Sequence, residues 1–111
     1  MPILQADYSN LNHEQMAADI GLKAKHIPIL IASFISESNG AIIKLQEAID
    51  NKNFDAIHSG SHFIKGSAGN LKFNEVYEMA KEMELNANAK NDSFDFKGYF
   101  TAIQDAIATI K

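Results

Sequence analysis

Beyond Pro28 the apolar residues of this chain recur at alternating steps of three and four, with little of the strict alternation that marks a strand. One stripe starts at Pro28, where a missing N–H costs nothing, and carries Ile31, Phe34, Ser38, Ala41, Leu45 and Ala48. A second carries Ile57, Ser61, Ile64, Ala68 and Leu71 and predicts a helix from about Phe54 to Leu71. The third follows Asn74, read as its N-cap, with Val76, Ala80, Met83 and Ala87; Met79 and Met83 are expected in the core. The last is Phe96, Phe100, Ile103, Ile107 and Ile110. A shorter helix is expected after Asn12, bearing Met16, Ala17 and Ile20, with Gly21 ending it. The polar, Asn-rich stretch from Asn86 to Asp95 reads as a loop.

Four long stripes with short connections predict an all-α fold, an antiparallel up-down four-helix bundle with a short extra N-terminal helix. The four-and-three steps of the last stripe lie close to the 3.5-residue period of helices packed at about 20°. At 111 residues, with no repeat or linker, the expectation is a single domain over residues 1–111. Four stripes allow a monomer to bury its own core.

Composition narrows the function. The absence of cysteine excludes disulfides and thiolate metal sites and suits a reducing compartment, so the cytoplasm is the expected location. The first residues, Met-Pro-Ile-Leu-Gln-Ala-Asp, lack the basic start and apolar run of a secretory signal. The longest nearly unbroken apolar stretch, Ile27 to Ile35, contains Pro28 and Ser33 and falls short of the ~20 residues of a membrane span, so no membrane association is expected. The net charge is −4 and all ten cations are lysines. An acidic surface without arginine argues against nucleic acid as a partner.

One segment resists a purely structural reading. Gly60, Gly66 and Gly69 fall inside the second long helix, where together they oppose helix formation by about 2–3 kcal/mol. That is a large fraction of the stability of a small domain. With the apolar stripe set at zero, His58, His62, Lys65, Gly66 and Gly69 all project between about 80° and 180°. Helical side chains lean toward the N-terminus, so residue 66 overlies the ring of His62, and glycine there leaves that ring uncovered. A neutral imidazole is a nucleophile near neutral pH, and the Lys65 ammonium can offset the charge of a phosphoryl group.

Phe63 projects to about 240°, where it either packs on another helix, the favoured reading, or stands exposed for docking, with Gly60 and Ser67 allowing close helix approach nearby. His58 and His62 have the spacing of two metal ligands, but no third ligand or His-Glu-x-x-His pattern accompanies them, so no metal is expected. His13 and His26 have no evident partner. Glu75, Glu78 and Glu82 read as a solvated face.

The run His62-Phe63-Ile64-Lys65-Gly66-Ser67-Ala68-Gly69-Asn70-Leu71 resembles the signature of histidine-phosphotransfer (HPt) domains, His-x-aliphatic-Lys-Gly-small-Ala followed by Leu. The likeness extends to Ile29 through Asp55, with Phe34, Leu45, Ala48 and the acidic-amide turn Asp50 to Asn53, and to Ala80, Met83 and Glu84, so it covers nearly the whole chain. It implies His62 as the phosphorylated residue, Lys65 as the phosphate-neutralising lysine and Gly66 as the access glycine. His58, Phe63, Gly69 and Lys72 are the residues expected to face a partner. The family usually has glycine where this chain has Lys72.

The resemblance further implies a phosphorelay. A receiver domain of a hybrid histidine kinase or response regulator, bearing an aspartyl phosphate and its own magnesium ion, would charge His62, and a second receiver would be charged in turn. The chain would be a phosphocarrier and not an enzyme, with no cofactor of its own; no P-loop is present. The alternative is a docking or inhibitory module that binds a receiver or kinase without carrying phosphate.

Overall fold

The computed structural model describes residues 3–110. These fold into α1 (His13–Ile20), a single 3-10 turn (Ala24–His26), α2 (Ile27–Asp50), α3 (Phe54–Asn70), α4 (Asn74–Asn88) and α5 (Phe96–Ala108). The fold is all-helical, with no strand among the described residues.

Local chemistry sets the helix starts. The Asn12 side chain accepts from Gln15 N–H (3.0 Å), Asn53 from Ala56 N–H (3.2 Å) and Asp95 from Gly98 N–H (3.0 Å), each satisfying a donor that the first turn leaves free. Pro28 occupies the first turn of α2.

The helix ends are equally specific. Gly21 closes α1 with φ +74°, and Lys52, Lys72 and Lys90 follow α2, α3 and α4 with φ of 52°, 62° and 53°. In each lysine turn the next N–H reaches back to a helix carbonyl: Asn53 to Ala48 (2.9 Å), Phe73 to Ala68 (3.0 Å) and Asn91 to Asn86 (2.9 Å). This is the Schellman pattern, which satisfies two orphan carbonyls while reversing the chain.

Helices α2 to α5 form the bundle. Each packs on the next, α3 most extensively on α4, and α2 also meets α5, closing the ring; α1 lies against α2. Gly69 meets Tyr77 near the α3–α4 turn while His62 meets Glu84 farther from it, so α3 and α4 run antiparallel. Lys52 and Asp92 (3.3 Å) join the α2–α3 turn to the α4–α5 loop at one end. The core between the helices is built on Leu45, Ile57, Ile64, Val76, Met79 and Ile103. A Cβ at Gly60 would lie 3.2 Å from Leu45 Cδ1, so this glycine does let α3 approach α2 closely.

An aromatic group fastens the N-terminal segment. Phe73, fully buried, lies 5.1 Å from Phe34 and 4.6 Å from Tyr8, ring centre to ring centre. The Tyr8 hydroxyl donates to Glu75 Oε1 (2.9 Å), and its N–H donates to Thr109 Oγ1 (2.8 Å). Burial first, and then the hydrogen bond to Glu75, push the Tyr8 phenol well above its ordinary range.

Several expectations are corrected. Asn74 is the first residue of α4, not its cap; Phe73 takes the cap position because its ring is needed in the core. α4 continues to Asn88, since Asn86 donates to the Glu82 carbonyl (2.8 Å) and forms the polar last turn of the helix. Glu75 is not simply solvated, because Tyr8 covers it. Ala41 is only half-buried, and its neighbour Ile42 takes the core position. Ser38 and Ser61 are fully buried with hydroxyls that have no hydrogen-bond partner.

Residues 24–50 form one helical stretch that is long and apolar enough to cross a membrane by length and composition, although no unbroken run within it reaches that length. In the bundle its inner stripe packs on α3 and α5, while Ile29 and Ile43 stand 68% and 70% exposed on its outer face.

Candidate functional site

Helix α3 carries His62 on its outer surface, with the side chain 67% exposed. Opposite it, α4 brings Glu84 beside the buried Met83, one helical turn after the buried Ala80, leaving the Glu84 side chain only 11% exposed. His62 Nδ1 lies 2.5 Å from Glu84 Oε2, and Lys65 Nζ donates to Glu84 Oε1 at 2.6 Å. One carboxylate therefore holds both the histidine and the lysine of the α3 motif.

Electrostatics fix the protonation pattern. Burial alone would raise the Glu84 carboxyl, but the hydrogen bonds from Lys65 and His62 outweigh it and hold the group below its usual range. The same bond raises the Lys65 ammonium above its ordinary value, against a smaller opposing effect of desolvation. An ionised carboxylate only accepts hydrogen bonds, so the proton of neutral His62 belongs on Nδ1. Nε2 is left with its lone pair free.

The remaining α3 residues divide. A Cβ at Gly66 would meet nothing within 4 Å, so the space above the His62 ring is open. His58 lies one turn before, its ring parallel to that of His62 (5°) with centroids 6.3 Å apart and its Nε2 3.9 Å from the same Glu84 Oε2. Gly69, expected to face a partner, is half-buried, and a Cβ there would lie 3.2 Å from the Tyr77 ring of α4; it seats that ring. Lys72 is exposed at the left-handed turn after α3, where the family's usual glycine would sit without strain.

Phe63 is 41% exposed, which corrects the expectation that it packs on another helix. It borders a groove of about 570 Å³ between α2 and α3, floored by Gly40, Ala41, Ala56 and Gly60 with Lys44 at its edge. Those residues are too small to cover the ring. Among the described residues no group of three or more His, Asp or Glu side chains is placed to hold a metal ion.

The sequence reading used Glu84 only as part of a family likeness and missed it as a site residue. A signal was present: a carboxylate four residues after Ala80 and adjacent to Met83 falls at the edge of the buried stripe, where charge is retained only with a partner.

The helical bundle presents an uncovered imidazole, braced by a carboxylate from the next helix and accompanied by a lysine one turn on, an arrangement that suits a histidine phosphocarrier. A model of the Hpt domain matches residues 29–111, and the chain belongs to that family. Comparisons with curated proteins and with solved structures give no match. Membership makes the general function histidine phosphotransfer in phosphorelay signalling, as a carrier module that works with receiver domains and not as a catalyst.

Proposed function

We propose that this chain takes a phosphoryl group from the aspartyl phosphate of one receiver domain onto Nε2 of His62 and passes it to the aspartate of another. The observation that carries the reading is the contact between His62 Nδ1 and Glu84 Oε2, which directs the free lone pair outward. In the accepting step the Nε2–P bond forms as the P–O bond to the aspartate breaks, and the carboxylate leaves with the electron pair. The Nδ1 proton stays on the ring, where Glu84 balances the positive charge that develops. Lys65, paired with Glu84 at rest, is placed to turn toward the phosphoryl oxygens.

Positioning and charge compensation are all that such a transfer asks of the carrier. The magnesium ion belongs to the receiver, and the chain acts without a cofactor, as a cytoplasmic monomer. The partners are receiver domains of a hybrid histidine kinase and of a response regulator.

The test is to mix the protein with receiver domains charged on aspartate and to look for acid-labile, alkali-stable phosphate, with His62→Gln as control. Label on the wild type alone is expected. Binding of receivers without label on either protein would replace this reading with the docking-module alternative.

A further inference from the structure

We infer that Lys81 of α4 is a second phosphoryl-facing cation, which meets the charge of the incoming group while Lys65 is still held by Glu84. The inference rests on the carrier reading above and concerns a residue of the helix that does not bear the histidine.

The register between α3 and α4 places this lysine. Gly69 lies against Tyr77, and His62 meets Glu84 farther along the same antiparallel pair. Lys81 comes four residues after Tyr77 and three before Glu84, spacings that return to one face of a helix. It therefore stands on the α3-facing side of α4, level with Lys65 and Gly66 and about 4.5 Å along the axis from Glu84. Its neighbour Ala80 is fully buried while Lys81 itself is exposed, so it occupies the outer shoulder of that side.

Lys81 is also free to act. Lys65 Nζ is committed to Glu84 Oε1 at 2.6 Å, whereas Lys81 has no ion pair or hydrogen bond among the described residues. The surface between it and the His62 ring is open, since a Cβ at Gly66 would meet nothing within 4 Å. A flexible four-carbon stem can swing across a glycine, where a larger side chain would stand in its path. Lys72, by contrast, lies beyond the end of α3.

A charge count shows what the site lacks. At rest Glu84 and Lys65 cancel and neutral His62 adds nothing. A phosphoryl group on Nε2 brings about two negative charges, and the ring, keeping its Nδ1 proton, gains one positive charge. About one negative charge is left over. Lys81 supplies the cation that balances it, without drawing Lys65 away from the carboxylate that braces His62.

The experiment uses the full chain as wild type, Lys81→Arg, Lys81→Gln and Lys81→Glu, with two phosphoryl donors. One is a receiver domain charged on aspartate. The other is phosphoramidate, a small anion with no docking surface, whose P–N bond breaks as the Nε2–P bond forms and whose ammonia leaves with the electron pair. Label on His62 is read as the excess over His62→Gln. With either donor the initial rate should fall about threefold in Lys81→Gln and about tenfold in Lys81→Glu, and added salt should narrow both differences. Lys81→Arg should keep the wild-type rate. Diethyl pyrocarbonate, a neutral imidazole reagent, should modify His62 equally fast in all four proteins.

Equal phosphoramidate rates in the four proteins, or no phosphoramidate label on His62, would overturn the inference. A slower receiver step beside an unchanged phosphoramidate step would overturn it too, making Lys81 a contact for the partner's surface alone. Parallel loss of diethyl pyrocarbonate modification would reject it in favour of altered access to the ring. If receivers leave the wild type unlabelled while phosphoramidate rates follow the charge at position 81, the carrier reading fails and the role of Lys81 stands.

Discussion

Lys65 Nζ sits 2.6 Å from Glu84 Oε1, so the lysine of the motif is held by a carboxylate of the neighbouring helix before any phosphate arrives. In the proposed transfer, a phosphoryl group on His62 would bring about two negative charges into reach of that ammonium, giving the lysine a choice of anions. The bracing carboxylate thus prepares the histidine and keeps the lysine in reserve.

Replacing Glu84 with glutamine tests the first of these roles. The amide can donate as well as accept, so the Nδ1 proton of His62 is no longer enforced and the developing charge is no longer balanced. Transfer from a charged receiver should slow by at least about tenfold, with the bundle intact by circular dichroism. An unchanged rate would mean that Glu84 serves only the fold.

The three glycines of α3 should separate on substitution. Gly66→Ala meets open space and should stabilise the protein by about 0.5–1 kcal/mol in urea unfolding, whereas Gly66→Leu should obstruct the ring and reduce transfer by about tenfold or more. Gly60→Ala and Gly69→Ala press on Leu45 and Tyr77 at 3.2 Å and should gain less or lose stability.

The left-handed lysines predict the opposite direction from most surface changes. Lys72→Gly and Lys90→Gly each relieve a positive φ and should raise stability by about 0.5–1 kcal/mol. Lys52→Gly should gain slightly less, since it also gives up the exposed pair with Asp92. Shifts in the urea midpoint at constant slope are the measurement.

Ser38→Ala and Ser61→Ala remove buried hydroxyls that have no partner. Each should leave the thermal midpoint unchanged or raise it, by up to about 1 kcal/mol in stability, because alanine carries no group whose lost hydration must be offset.

The Glu84 network also sets a pH window. The folded Glu84 carboxyl lies below its ordinary value of 4.5, so its contribution to stability is present above that value and is lost as pH falls through the folded one. Lys65 lies above its ordinary 10.5, so its share is present below that value and disappears as pH rises beyond the folded one. Thermal midpoints of wild type and Glu84→Gln should therefore differ by a steady amount near neutral pH and converge in acid.

Much of this was legible in the chain because helical periodicity is a local property. The stripes from Ile31 and from Ile57, and the cap at Asn12, could be read from neighbours three and four residues away. What escaped were relations between distant segments. Tyr8 and Phe73 belong to no stripe, yet they pack together and set the start of α4, overriding the capping preference of Asn74. Phe63 is exposed because of the small residues across from it on α2, which nothing local to Phe63 reveals. His62, Lys65 and Gly66 could be singled out on one helix, while the role of Glu84 depends on the register between two.

The hydrogen bond from Tyr8 N–H to Thr109 Oγ1 ties together segments 101 residues apart in sequence. Loosening the end of α5 releases a hydrogen bond of Tyr8, and lifting Tyr8 bares Phe73 beside the α3–α4 turn that follows the histidine-bearing helix. The same contacts link both ends of the described chain to the turn that follows the helix bearing His62.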